Sequence, residues 1–264
     1  MTSDAVSDAT SLNFHRSENA VDIPHHKALC FAASFAKGQL MRFKSKPFRK
    51  RWDRLRGKAP GWFLKGAKGV IHIGANNGAE WREYAEHGLN VLWVEPIPEV
   101  FAALEKNISG AKNQTAVKGL VSDISGKVVT LNISSNDGQS SSVLNLDKHA
   151  EIWPEVSYVD AIELVAETLP EIVARSGRSM DEFDILVMDT QGSELAILQG
   201  AGDLSPFRYI HTEAADFELY AGYPRLAQID AFLSLAGFKE AHRWRFAQGP
   251  SGKCYDVTFR NHGK

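Results

Sequence analysis

From Gly69 onward, short apolar runs alternate with stretches in which apolar residues recur every three or four positions. The runs are those of strands buried on both faces and the stretches those of covering helices, which predicts a mostly parallel sheet in an α/β sandwich. Val70–Ile73 reads as the first strand, followed by a glycine turn and a helix over about Ala79–His87 that stops at Gly88. Val91–Val94 reads as the second strand, and Pro98 opens a helix in which Val100, Phe101 and Leu104 repeat at helical spacing. Thr115–Val121 is expected as a third strand, with Lys127–Ile133 and Tyr158–Val165 as extra strands around the irregular loop Asn136–Ser142. Thr168 and Glu171 have the spacing of a capping box, so a helix begins there and runs to Gly177. Phe183–Met188 and Phe207–Thr212 are the fourth and fifth strands, separated by a helix over Glu194–Gln199. A last helix spans about Leu226–Ala236. Phe238–Trp244 and Cys254–Arg260, with Gly249–Gly252 between them, form a hairpin that closes the sheet in antiparallel fashion.

With 264 residues, 44% hydrophobic and 23% charged, the chain has the size and composition of one globular catalytic domain with appendages. Residues 59–264 are expected to form that domain, and residues 1–58 a polar tail and a basic extension. The longest mostly apolar stretch, Ala28–Ala36, is far below the roughly 18 to 20 residues of a membrane-spanning helix, and no secretory leader is evident. A cytoplasmic protein is expected. Its two cysteines, Cys30 and Cys254, allow neither a disulfide framework nor a four-thiolate zinc site. The net charge of −2 hides a segregation, because residues 37–58 hold ten Lys or Arg against the single acid Asp53. Met41, Phe43, Phe48, Trp52 and Leu55 are interleaved with these charges, as in segments that rest on an anionic surface such as the membrane periphery. A solvated helix packing its aromatics on the domain is the simpler reading, and no specific nucleic-acid recognition is expected.

Chemistry concentrates at the ends of the expected strands. Gly74-Ala75-Asn76-Asn77-Gly78 lies between a buried strand and a helix start, where glycines let the backbone turn sharply and approach a nucleotide closely. The dinucleotide fingerprint wants glycines at its first, third and sixth positions, which here are Gly74, Asn76 and Ala79, so a nicotinamide cofactor is disfavoured. Glu95, 21 residues beyond Gly74 and pinned by Pro96, stands where a carboxylate accepts from both ribose hydroxyls. Ligands of open α/β sheets bind outside the carboxyl ends of the strands, so Asp189 should face the same crevice, with Glu194, His211 and Glu213 as candidates to join it. Glu194 at a helix start is also explained by the helix dipole, and His211 by a place in the core.

Val70 to Gly78, Val94-Glu95-Pro96, the serine loop Gly138–Val143, Asp184 to Glu194 with Leu198 and Gly200-Ala201, and the closing Tyr255-Asp256-Val257 together resemble the FkbM-type methyltransferases over about residues 68–260. The resemblance implies the class I methyltransferase (Rossmann-like) sandwich, with a seven-stranded sheet in the order 3-2-1-4-5-7-6. It implies S-adenosylmethionine as cofactor, held by Gly74, Ala75, Asn76, Asn77, Gly78, Glu95, Pro96, Ser122, Asp123 and Asp189. It also implies a small-molecule hydroxyl acceptor, on a sugar or a polyketide-like metabolite. Two positions depart from the family pattern: His72 replaces an acid two residues before the first glycine, and Gln191 replaces the middle acid of an Asp-x-Glu-Gly-x-Glu run.

Methyl transfer to a hydroxyl needs a group to take the alcohol's proton, and His211 or Asp189 is expected in that role, with Glu213 orienting the acceptor. A metal-assisted variant would use Asp189 and Glu213 as oxygen ligands for magnesium, and is disfavoured by the charge lost at Gln191. Trp62-Phe63, Trp153-Pro154 and Phe217–Tyr223 are aromatic candidates for the acceptor pocket, although aromatics near loops more often pack than recognise. The rivals are a nicotinamide-dependent oxidoreductase and a catalytically degenerate fold that docks partners through residues 37–58.

Overall fold

The computed structural model describes residues 61–263, and the expectations for residues 1–58 lie outside them. The main sheet has seven strands in the order β3-β2-β1-β7-β8-β10-β9. These are β1 (Gly69–Ile73), β2 (Asn90–Glu95), β3 (Gln114–Lys118), β7 (Ile185–Met188), β8 (Tyr209–Ala215), β9 (Phe238–Gln248) and β10 (Lys253–Asn261). Neighbours from β3 through β8 run parallel, whereas β10 is antiparallel to both β8 and β9. With the three strands outside this sheet left uncounted, the order is 3-2-1-4-5-7-6, as the resemblance implied.

All five residues of β1 and all four of β7 are buried, because helices cover both faces of the sheet. On one face Ile71, Leu92, Leu186 and Ile210 pack under α3 (Leu169–Arg175), α4 (Glu194–Gly200) and α5 (Leu226–Leu235). On the other, Val70, Val91, Trp93 and Val187 pack under Phe63, Leu64, α1 (Trp81–Glu86) and α2 (Pro98–Ile108). In α2, Pro98 sits in the first turn, and Val100, Leu104 and Ile108 recur every fourth residue to form the buried stripe. The start of α3 is the expected capping box, with the Glu171 carboxylate accepting from the Thr168 backbone N–H at 2.8 Å.

The expected third strand is two strands. Gly119 breaks the run, so that β3 stays in the main sheet while β4 (Leu120–Val121) turns away to pair with β6 (Tyr158–Glu167). A Cβ at Gly119 would lie 2.7 Å from Ile172 Cδ1, so glycine lets the α3 side chains pack closely at this bend. β6 also pairs antiparallel with β5 (Val128–Ser134), which makes a three-stranded sheet beside the main one. The C-terminal strands are longer than expected, reaching Gln248 and Asn261 around the Gly249–Gly252 turn. No helix among the described residues is long and apolar enough to cross a membrane.

Leu92 is fully buried on β2 between two other parallel strands. Leu92→Ala should therefore lower stability by about 2–5 kcal/mol, read as a fall in the urea midpoint with an unchanged slope.

Candidate active site

β1 has β2 on one side and β7 on the other, so the connections leaving its two neighbours diverge and open a crevice at the carboxyl ends. A cleft lies there, with about 620 Å³ of empty space counted out to its open mouth. One wall carries Gly74, Asn76, Glu95 and Pro96, and another Gly119, Leu120 and Val121. Gly138, Gln139, Ser141 and Val143 form a third, and Asp189, Thr190, Gln191 and Ser193 a fourth. Among the described lining residues, Glu95 and Asp189 are the only acids.

Glu95 ends β2 with its carboxylate turned back over the glycine loop. Its Oε2 accepts from the Asn76 N–H at 2.8 Å and its Oε1 from the Ile97 N–H at 2.9 Å. Each oxygen keeps a second lone pair. Burial pushes this carboxyl up to about 7, opposed by the two N–H groups and reinforced by the charge of Asp189. The loop that delivers the Asn76 N–H turns through positive φ at Gly74 and Asn76. A Cβ at Gly74 would lie 2.0 Å from the Asp189 carbonyl oxygen, so glycine is obligatory there.

Glu194 is fully buried and faces its own loop instead of the cleft. Oε1 accepts from the N–H and hydroxyl of Thr190, both at 3.0 Å, and Oε2 from the Gly192 N–H at 2.9 Å. Burial raises its carboxyl to about 7 as well, against those hydrogen bonds. Between Thr190 and Gly192, Gln191 takes a left-handed φ of 55°. Its Nε2 donates to Asp189 Oδ1 at 2.7 Å and to Glu213 Oε2 at 3.2 Å, and its Oε1 accepts from the Tyr220 hydroxyl at 2.9 Å. The expected grouping of Asp189 with Glu213 is thus present, joined through the residue that breaks the family's acidic run.

The serine loop is wired to itself. Ser134 Oγ donates to Asn136 Oδ1 at 2.6 Å, the Ser140 N–H donates to Ser134 Oγ at 3.0 Å, and the Ser134 N–H donates to Ser141 Oγ at 3.0 Å. Ser142 Oγ donates to the Gln191 carbonyl at 2.7 Å and fastens this loop to the opposite wall.

His211 does not reach the cleft. It lies inside β8, opposite Val187 and Thr258, where its ring stacks on Phe63 at 5.1 Å and Nδ1 meets Thr258 Oγ1 at 2.9 Å. His72, in the same row across Val187, is also a core residue: it stacks on Trp93 at 5.0 Å, and Nδ1 meets the Tyr84 hydroxyl at 3.1 Å. Burial, with His211 adding to it, drives His72 down to about 3, so it is a neutral packing ring.

Five residues expected to hold the cofactor do not line the cleft. Ala75 and Asn77 contribute backbone to the loop, and a Cβ at Gly78 would lie 2.5 Å from Leu104 Cδ1, so that glycine serves helix packing. Ser122 and Asp123 bond to each other beyond the cleft edge, and Gly119–Val121 take their place along the wall. The serine loop and the Leu120–Val121 wall were missed as individual contacts. Only the resemblance pointed to the loop. Phe63, Phe217, Tyr220 and Tyr223 are buried packing residues.

This sheet order with a cleft at its switch point defines a class I methyltransferase arrangement. A profile of the methyltransferase FkbM domain matches residues 72–240, more than half of the chain, and the protein belongs to that family of methyltransferases. The nicotinamide reading falls with that assignment. No curated protein matches the chain significantly. Among solved structures, magnesium protoporphyrin IX methyltransferase of Synechocystis with bound S-adenosylmethionine is 12% identical, with a TM-score of 0.43 over 75% of this chain and 71% of that one. A precorrin-6y C5,15-methyltransferase of Geobacter metallireducens is 14% identical, with a TM-score of 0.43 over 86% and 95% of the two chains.

Glu194→Gln should destabilise the fold by about 1–3 kcal/mol, because the amide nitrogen displaces one acceptor and leaves a loop N–H without a partner. The same variant should alter the pH response. With its carboxyl near 4.5 unfolded and about 7 folded, the folded chain binds more protons in that window, so Glu194's contribution is lost as pH rises through it. Urea midpoints at the two ends of the window should show a smaller loss on raising the pH in the variant than in the wild type.

Proposed function

We propose that the chain transfers the methyl group of S-adenosylmethionine to a hydroxyl oxygen of a small molecule, a sugar or another secondary metabolite, with Asp189 taking the proton. The observation that carries this reading is one cleft lined by two acids of different character on either side of Gly74. Glu95 is anchored by two backbone donors with lone pairs to spare, which suits the paired hydroxyls of a ribose. Ile97, Leu120, Leu131 and Val143 offer apolar walls for a purine, and Asn76 and Ser193 offer polar partners for an amino-acid tail. The residues present therefore fit the cofactor.

Bound S-adenosylmethionine supplies a methyl group on a positive sulfur, whose C–S bond breaks as the C–O bond forms and leaves a neutral thioether. The walls of the cleft would hold the two reactants side by side, and such positioning is worth up to roughly 7–11 kcal/mol of the barrier. Asp189 accepts the hydroxyl proton as the new bond forms and later returns it to water, a contribution of ~10²–10⁴-fold. Glu95 is committed to the cofactor side, so Asp189 is the lining acid that remains for this task. The core position of His211 supports the same assignment.

Calorimetric titration with S-adenosylmethionine tests the cofactor half. Glu95→Ala should weaken binding by about 10–100-fold, a loss of the order expected for a buried ligand-pairing acceptor. Affinity should rise with pH through about 7 as Glu95 ionises, and Glu95→Gln should flatten that rise. No binding by the wild-type chain would favour the degenerate docking fold instead. With a hydroxylated acceptor found by screening, Asp189→Asn should lower kcat by ~10²–10⁴-fold and leave cofactor affinity nearly unchanged.

A further inference from the structure

The loops leaving β1 and β7 part at the switch point, and the serine loop joins them again. At one end of it, Asn76 Nδ2 donates to the Asp137 carbonyl at 3.4 Å, and at the other, Ser142 Oγ donates to the Gln191 carbonyl at 2.7 Å. The close approach of Gly74 to the Asp189 carbonyl completes a circuit. It runs from Gly74 to Asn76, across to Asp137, along the serine loop to Ser142, across to Gln191 and back to Asp189. Every arc contributes to the cleft: Gly74 and Asn76, Gly138 and Ser141, Asp189 and Gln191.

The two hydrogen bonds that close this circuit are unequal. The one from Asn76 is long and exposed, whereas Ser142 is fully buried. Its hydroxyl is used twice, donating to Gln191 and accepting from the Leu144 N–H at 3.0 Å. Its backbone exchanges two hydrogen bonds with Asn132 of β5, at 2.9 and 3.1 Å. Ser141 and Val143, on either side of it, both line the cleft, so a displacement of Ser142 moves two wall residues together. The acceptor is equally fixed. Gln191 holds a left-handed φ of 55°, and Glu194 ties down the N–H groups of Thr190 and Gly192 beside it. The same two segments touch again where a Cβ at Gly192 would lie 2.7 Å from Leu144 Cδ1.

We propose that Ser142 is a positioning residue of the cofactor site, whose hydroxyl is the clasp that holds the serine loop against the loop after β7 and so sets how long bound S-adenosylmethionine stays. The proposal rests on the reading of the cleft as the S-adenosylmethionine site. Ser142 acts through its neighbours, Ser141 and Val143 on one wall and Gln191 on the other. With the clasp removed the two walls move apart around a bound ligand, and the effect falls on its departure, the step through which most changes in a binding surface are felt.

Surface plasmon resonance with S-adenosylmethionine on the immobilised full-length chain tests this. Ser142→Ala should release the ligand about 5–20-fold faster than the wild type, with an association rate within about threefold. Ser142→Cys, which keeps a similar volume with a weak donor, should fall between them, and it carries the test should the alanine variant fail to fold. A lower urea midpoint with an unchanged dissociation rate would mark a hydrogen bond that serves stability alone and would overturn the proposal, as would a loss confined to association. Hydrogen exchange of the unliganded chain gives a reading that needs no cofactor. Peptides covering Asn132 to Leu144 should exchange at least about tenfold faster in Ser142→Ala, and those covering Val70 to Ile73 at the wild-type rate. Unchanged protection of the serine loop would also overturn the proposal. Failure of the wild type to bind S-adenosylmethionine would remove the cofactor reading instead, and hydrogen exchange would still decide whether Ser142 is the clasp.

Discussion

At Gly74 the backbone leaving β1 and the backbone leaving β7 come so near that a Cβ on the first would lie 2.0 Å from the carbonyl oxygen of the second, at Asp189. The strand order imposes this contact. Where the sheet reverses its winding, the two central strands end side by side and their loops part in opposite directions. The loops can part only if one is thin enough to lie over the other. The ladder carries the contact past the last strand residues: the Asp189 N–H donates to Ile73 at 3.0 Å, and Gly74 and Ala75 both donate to Val94 at 3.0 Å. Glu95, Asn76 and Asp189 inherit their places from these bonds, so a larger residue at 74 would disturb the whole floor of the cleft.

Two buried carboxyls shape that floor by the same device and to opposite ends. Glu95 and Glu194 each collect backbone N–H groups from loops that would otherwise hold unpartnered donors out of water. Glu194 spends its oxygens inward and is part of the scaffold. Glu95 reaches the cleft, so its remaining acceptor capacity is available to a ligand. Both are driven up to about 7 by burial, which leaves the scaffold uneasy about ionisation near neutral pH. His72 and His149, lowered by burial to about 3 and about 4, oppose this trend, because the unfolded chain takes up their protons as pH falls.

The sheet was legible in the sequence because its strands are unbroken apolar runs closed by glycine turns, and Glu95 was legible because a lone acid follows such a run at the expected distance. Depth within a strand was harder to read. His211 stands two residues before Glu213, and its pairing with Val187 and stacking on Phe63 set it inside the sheet, a matter of register and of which face Phe63 covers. The run Thr115–Val121 looks continuous, and its division at Gly119 shows only in the pairing of Leu120–Val121 with β6, far away in the sequence. Gly78 has the look of a ligand-loop glycine and yet answers to Leu104. Gln191 looked like a missing charge, since nothing in a linear reading tells that its amide nitrogen lies between two acids from adjacent strands.

The serine loop that walls the cleft owes its shape to its own side chains, with Ser134, Asn136, Ser140 and Ser141 closed on one another and Ser142 fastened to Gln191. No part of that bonding waits for a ligand. The conformational entropy of this wall is surrendered during folding, so an arriving molecule is charged only for its own loss of freedom. A ligand would then meet a wall already built, and residence time would be the quantity through which small changes in that wall are expressed.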